Sequence, residues 1–235
     1  MAERVAFTKT VTLGWLNEAA EYSIQGITRK DAGDALNATI GQHISNAVNI
    51  KQTRIILLRT WFDTTPALLS RAQLQFHSVT SDEKMAIHWS LFMDQYAIFA
   101  DLCDVIGHLY AFRDVIALKQ IKERIYEKWG ERSILCSSLS KNIKTLKELG
   151  AMAAGEHPGY YVLKKHTISD PRVAGLLLYA MLNSERQRYM TWANFVSHPA
   201  MFPFDFVGLD EADMAALDFI SLDRFNNQTV LSVVE

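Results

Sequence analysis

Apolar residues along this chain recur mostly three and four positions apart, the spacing that gathers them on one side of an α-helix. The pattern predicts helices near Val11 to Ser23, Lys30 to Asn37, His43 to Trp61, Pro66 to Phe76, Ser81 to Phe112 and Asp114 to Trp129. Further helices are expected near Ser138 to Leu149, Pro171 to Leu182, Arg186 to Phe195 and Glu211 to Leu222. Their starts carry matching signals. Thr28 with Asp31, Thr80 with Glu83 and Asp210 with Asp213 have capping-box spacing, which satisfies orphan N–H groups of a first turn. Thr65-Pro66 and Asp170-Pro171 set a cap residue before a proline, whose missing N–H is harmless at the first helical position. The long stretch from Ser81 needs a break, expected near Asp101 or Gly107. Strand patterning is confined to Tyr160 to Thr167, after the turn Gly155-Glu156-His157-Pro158-Gly159.

One segment couples this patterning to a chemistry. Leu139, Ile143, Leu146 and Leu149 form a narrow apolar stripe, with Ser138, Lys141, Lys144, Thr145 and Glu148 opposite and Asn142 and Lys147 at the flanks. Ser138 sits as an N-cap and Gly150 as a left-handed terminator. A helix precedes this segment and a hairpin follows it, the order of a winged helix-turn-helix. In that arrangement the second helix enters a major groove, where Lys and Asn reach base edges and phosphates. Lys164 and Lys165, along the hairpin strand, suit phosphates better than bases. The competing reading is an amphipathic helix with a solvated basic face. Upstream, the helix with Lys51 and Arg54 after Gly41 is a weaker second candidate, because its apolar positions wander around the helix as in a buried one.

The expected fold is thus mostly α, helical with winged helix-turn-helix modules and one short β-hairpin. Three parts are expected: an N-terminal helix-turn-helix-like module over 1–79, a helical domain with the winged helix-turn-helix over 80–185, and an acidic helical segment over 186–235. The net charge of -2 hides an asymmetry. Basic residues exceed acidic ones from Lys119 to Lys165, whereas Asp205, Asp210, Glu211, Asp213, Asp218, Asp223 and Glu235 face only Arg224 in the tail. This favours a local polyanion surface and an acidic region able to meet another protein.

Other classes find little support. The longest apolar stretch, Ala174 to Leu182, is about nine residues against roughly 18 to 20 for a membrane span. Met1-Ala2-Glu3-Arg4 opens no secretory pattern, and the two cysteines, Cys103 and Cys136, fit a reducing, cytoplasmic setting. His43, His77, His88, His108, His157, His166 and His198 show no metal-ligand spacing. His88 reads as a satisfied core residue, Asp101 with Asp104 as a solvated face, and Cys136 lacks a partner base. There is no Gly-rich phosphate loop, nucleophile elbow or H-E-x-x-H. The expectation is a protein without catalysis, metal or cofactor.

Several segments together resemble a known family. These are Phe7-Thr8-Lys9-Thr10 through Gly14-Trp15-Leu16 and Gly26-Ile27-Thr28; Arg54-Ile55-Ile56-Leu57-Leu58-Arg59-Thr60-Trp61; and Trp129-Gly130, Ser138-Leu139-Ser140-Lys141, Leu146-Lys147-Glu148-Leu149-Gly150 and the hairpin Tyr160 to Leu163. The chain resembles the BrxA family of BREX bacteriophage-exclusion systems. The resemblance implies a helical protein with winged-helix modules that binds double-stranded DNA in phage defence, beside a methyltransferase and an ATPase, without catalysis of its own. The region after Arg186 has no counterpart in this resemblance. A helical adaptor docking through its acidic tail and a stand-alone winged-helix transcription regulator remain open as alternatives.

Overall fold

Local capping signals decide where most helices begin. The computed structural model describes residues 8–131, 133–225 and 228–234, so Met1 to Arg4, Phe7, Arg132 and Glu235 lie outside the described residues. Helices α1 (Leu13–Ile24), α2 (Arg29–Gly41) and α3 (Ala47–Phe62) pack on one another, capped by the side chains of Thr12, Thr28 and Asn46. The third helix therefore starts at Ala47, four residues later than His43, because Asn46 supplies the cap. Helix α4 (Pro66–Gln75) begins with the expected proline, but Thr65 turns its N–H and hydroxyl to Asp94 instead of capping it.

Helices α5 (Ser81–Gln95) and α6 (Ala97–Tyr110) come from the long stretch, and the break falls at Tyr96, not at Asp101 or Gly107. Tyr96 is extended (φ −135°, ψ 97°) and 2% exposed, so packing and not a proline or glycine ends α5. Gly107 serves a different purpose. An added Cβ there would lie 1.9 Å from the carbonyl oxygen of Pro199, so only glycine lets the two backbones touch. Thr80 and Glu83 form the expected capping box. Glu83 is 3% exposed and also accepts from the backbone N–H groups of Ser169 and Asp170. Burial raises its pKa, but these hydrogen bonds and those from Thr80 outweigh it and hold the carboxyl below its ordinary value.

The middle of the chain forms β1 (Val115–Ala117), α7 (Leu118–Trp129), α8 (Ser133–Glu148), β2 (Met152–Ala154) and β3 (Tyr160–Leu163). The three strands make an antiparallel sheet in the order β1-β3-β2. Val115 to Ala117 therefore belongs to a strand and not to the start of a helix. Strand β4 (His166–Ile168) leaves this sheet, and α9 (Pro171–Glu185) follows, capped by Asp170 and buried from Val173 to Leu182 against α5.

The C-terminal part differs most from expectation, being only partly helical. It contains β5 (Tyr189–Met190), α10 (Trp192–Val196), a 3-10 turn (Pro199–Met201), β6 (Phe204–Phe206), α11 (Glu211–Ala215), β7 (Ile220–Phe225) and β8 (Gln228–Val233). β6 pairs in parallel with β4, and a second antiparallel sheet has the order β5-β8-β7. The capping box of Asp210 and Asp213 is present, but α11 lasts five residues. Beyond it, the alternation Ile220-Ser221-Leu222-Asp223 has a period of two, and Leu222 pairs opposite Leu231. Among the described residues, the expected hairpin is present as β2 and β3 within the first sheet, and a second sheet and a parallel strand pair accompany it in a mostly helical chain.

A single core runs through all three parts of the chain. Trp61 of α3 donates from Nε1 to Nδ1 of His88 in α5 (3.1 Å), and His88 Nε2 lies 2.9 Å from Asn17 Oδ1 in α1. Nδ1 accepts, so the proton sits on Nε2 and the ring is neutral. Burial, and more weakly Lys84, push the pKa of His88 down to about 3, which makes it the satisfied core histidine that its sequence context indicates.

Candidate nucleic-acid interface

Helix α8 is amphipathic, but its buried sector is wider than the leucine stripe. Leu139, Ile143, Leu146 and Leu149 are all at most 2% exposed. Lys141, Lys144, Lys147 and Glu148 are exposed, with Ser137 and Ser140 on the same side. Ser138 and Thr145, expected on that outer face, and Asn142, expected at its flank, are instead 0%, 0% and 1% exposed. At 100° per residue Asn142 falls between Leu149 and Leu146, and Ser138 and Thr145 flank Leu149, so all three border the stripe and do not oppose it. Two contacts hold them there. First, the helix begins at Ser133, so Ser138 is an interior residue whose hydroxyl donates to the carbonyl of Leu135, and Asn142 in turn donates to the carbonyl of Ser138. Second, the stretch before α1 lies against α8. Val11, itself fully buried, donates its backbone N–H to Thr145 Oγ1 at 3.1 Å. A contact spanning 134 positions leaves no trace in local periodicity.

The lysines differ in what holds them. Lys141 and Lys144 make no ion pair with the described residues, while the Lys147 ammonium stands 5.9 Å from the centre of the Tyr161 ring on β3. Lys164 and Lys165 fall in the connection between β3 and β4, not within a strand. Lys164 is exposed, whereas Lys165 is committed to Asp205 at 2.8 Å, which removes part of its charge from any phosphate and also engages an acid of the tail. Next to it, His166 sets Nδ1 2.9 Å from Asp82 Oδ1 and Nε2 3.0 Å from the carbonyl of Gly150. This pins the end of α8, where Gly150 has the expected positive φ of 85°, to the start of α5.

The turn joining β2 and β3 presents Glu156 and His157 at its exposed tip, without lysine or arginine. Between it and the first turn of α7, a recess of about 500 Å³ is lined by Lys119, Lys122, Tyr126, Pro158 and Tyr160, among others. The sequence placed Lys119 and Lys122 in a basic block but did not connect them to this turn. The signal available was Lys119, on the side of α7 away from Ile121 and Ile125, with the half-buried Lys122 nearly one turn on at the edge of that side.

The second candidate helix is a poor display surface. Lys51 is exposed, but Arg54 is half-buried, with its chain lying over Gly33 of α2 and its Nε without a hydrogen-bond partner among the described residues. Thr53, Ile56, Leu57, Leu58, Thr60 and Trp61 are buried, as expected of a helix enclosed on several sides.

Other polar side chains link neighbouring elements. Asp101 accepts from Lys128 Nζ (2.6 Å) and Trp129 Nε1 (2.7 Å), joining α6 to α7 where a solvated carboxylate was expected. That hydrogen bond raises the pKa of Lys128. The side chain of Cys136, with burial and more weakly Glu131, pushes the Tyr126 phenol up to about 12. Among the described residues, no group of three or more His, Cys, Asp or Glu side chains could hold a metal, and no helix is long and apolar enough to cross a membrane. No protein-family model, curated protein or solved structure matches the chain.

Proposed function

We propose that the chain is a non-catalytic, double-stranded-DNA-binding accessory protein of a bacterial phage-defence (BREX) system, acting in the cytoplasm beside a methyltransferase and an ATPase. In this reading α6, β1, α7, α8, β2 and β3 form a winged helix. The support is their order, helix-strand-helix-helix-strand-strand, with the first strand paired to the third. The observation that carries the reading is the exposed face of α8, with Lys141 and Lys144 free of ion pairs to the described residues and backed by a buried side built on Leu139, Ile143, Leu146 and Leu149. Lys147 and Lys164 extend the basic surface, and Lys122 adds a cation beside the hairpin turn, where Lys119 stands 3.8 Å from Glu123. Ser138, Asn142 and Thr145 leave the contact set because they are buried, and Lys165 joins it only by giving up Asp205. Lys51 and Arg54 are at most a minor second contact.

With a net charge of -2, long-range attraction to DNA is weak, and binding rests on this local patch. Fluorescence anisotropy of a labelled duplex at about 50 and 200 mM salt tests it, with Lys141→Ala/Lys144→Ala in parallel. The expected result is salt-sensitive binding whose log–log slope against salt falls by about two units in the double variant. Unchanged affinity in that variant would remove α8 from the interface.

A further inference from the structure

The end of α6 carries an apolar groove that the proposed DNA face does not use. Val105 and Leu109 share one side of the helix, Phe112 continues their stripe just past its end, and His108, Arg113 and Arg124 complete a recess of about 300 Å³. Phe112 is 84% exposed, more than any other large apolar side chain among the described residues. No acidic side chain lines the recess. Arg113 makes no ion pair with the described residues, Arg124 is only 3.9 Å from an exposed Glu127, and His108 is 3.3 Å from Asp104. An apolar floor under a cationic rim suits an apolar anchor flanked by carboxylates and repels a basic partner.

The chain presents that complement elsewhere on its own surface. Between β6 and α11, Val207 is 55% exposed at a turn set by Gly208 (φ +70°), with Asp205 before it and Asp210 and Glu211 after it. Asp205 is shared with Lys165 and Asp210 caps α11, while Glu211 makes no ion pair with the described residues. Within one molecule the groove stays open, as the exposure of Phe112 shows.

We propose that this loop of a second copy docks in the groove, Val207 against Leu109 and Phe112 and its carboxylates toward Arg113 and Arg124. The contact joins two different surfaces, so it is heterologous. One loop in a recess of this size falls well short of the roughly 1,600 Å² of a stable interface, so the association is weak and concentration-dependent.

Sedimentation velocity of the full chain, over about a hundredfold range of protein concentration and at low and high salt, tests this. The expected result is a sedimentation coefficient that rises with concentration and rises less at high salt. Phe112→Glu, which spoils the groove, and Val207→Lys, which spoils the loop, should each remain monomeric. Mixed together they should associate again, because one supplies an intact loop and the other an intact groove. Arg113→Glu/Arg124→Glu should also be monomeric, and circular dichroism checks that every variant is folded; both apolar targets are exposed, so folding is not at stake. A monomeric wild type throughout, a single variant that associates like wild type, or a mixture that stays monomeric would each overturn the proposal.

Discussion

Helices α3 and α8 have the same length of sixteen residues, follow shorter helices and carry three basic side chains each, yet they are different objects. In α8 the basic residues Lys141, Lys144 and Lys147 occupy one side and the leucine stripe the other. In α3 the buried residues Ile56, Leu57 and Leu58 are consecutive, so burial covers more than half of the circumference, and Arg54 and Arg59 at its margins are half-buried. Charge count does not make an interface. What matters is whether the basic and apolar residues are separated around the circumference, because only then can a helix be held from behind while facing a partner.

Three substitutions would break or sharpen this contrast. The largest effect is expected for Trp61→Ala, which empties a fully buried site of α3 and strips His88 Nδ1 of its donor. Urea unfolding should show a loss of about 3 to 5 kcal/mol, and a loss below about 1 would deny α3 its role as scaffold. Thr145→Val should come next. It removes the acceptor for the Val11 N–H and should lower stability by about 1 to 3 kcal/mol while leaving the salt slope of DNA binding unchanged. A changed slope would return Thr145 to the outer face. The smallest effect is expected for Lys51→Ala, whose slope change should stay below the roughly one unit predicted for Lys144→Ala. Equal changes in the two variants would make α3 a second reading helix.

The sequence made the inner stripe and the lysines of α8 legible because both are local, set by a repeat of 3.6 residues. Capping chemistry was equally readable at Thr28, Thr80, Asp170 and Asp210, since each cap involves residues within a few positions. Three features escaped. Val11 covers Thr145 from across the chain, and no short window contains both. Tyr96 breaks the long helix without glycine or proline, because its ring is accommodated by the core. The strands β7 and β8 follow a genuine capping box, which marks where a helix starts but not where it ends, and the stretch beyond alternates as a strand does.

Gly107 bears on how relatives of this chain would be recognised. A glycine inside a helix ordinarily weakens it by about 1 kcal/mol, yet here the backbone of Pro199 occupies the space any side chain would need. Every protein that brings these two segments together in the same way must keep a bare position at this point of an otherwise apolar helix. That pair, ninety-two positions apart in the chain, is a signature defined by contact and not by residue similarity, and it can be sought in sequences too divergent for any alignment.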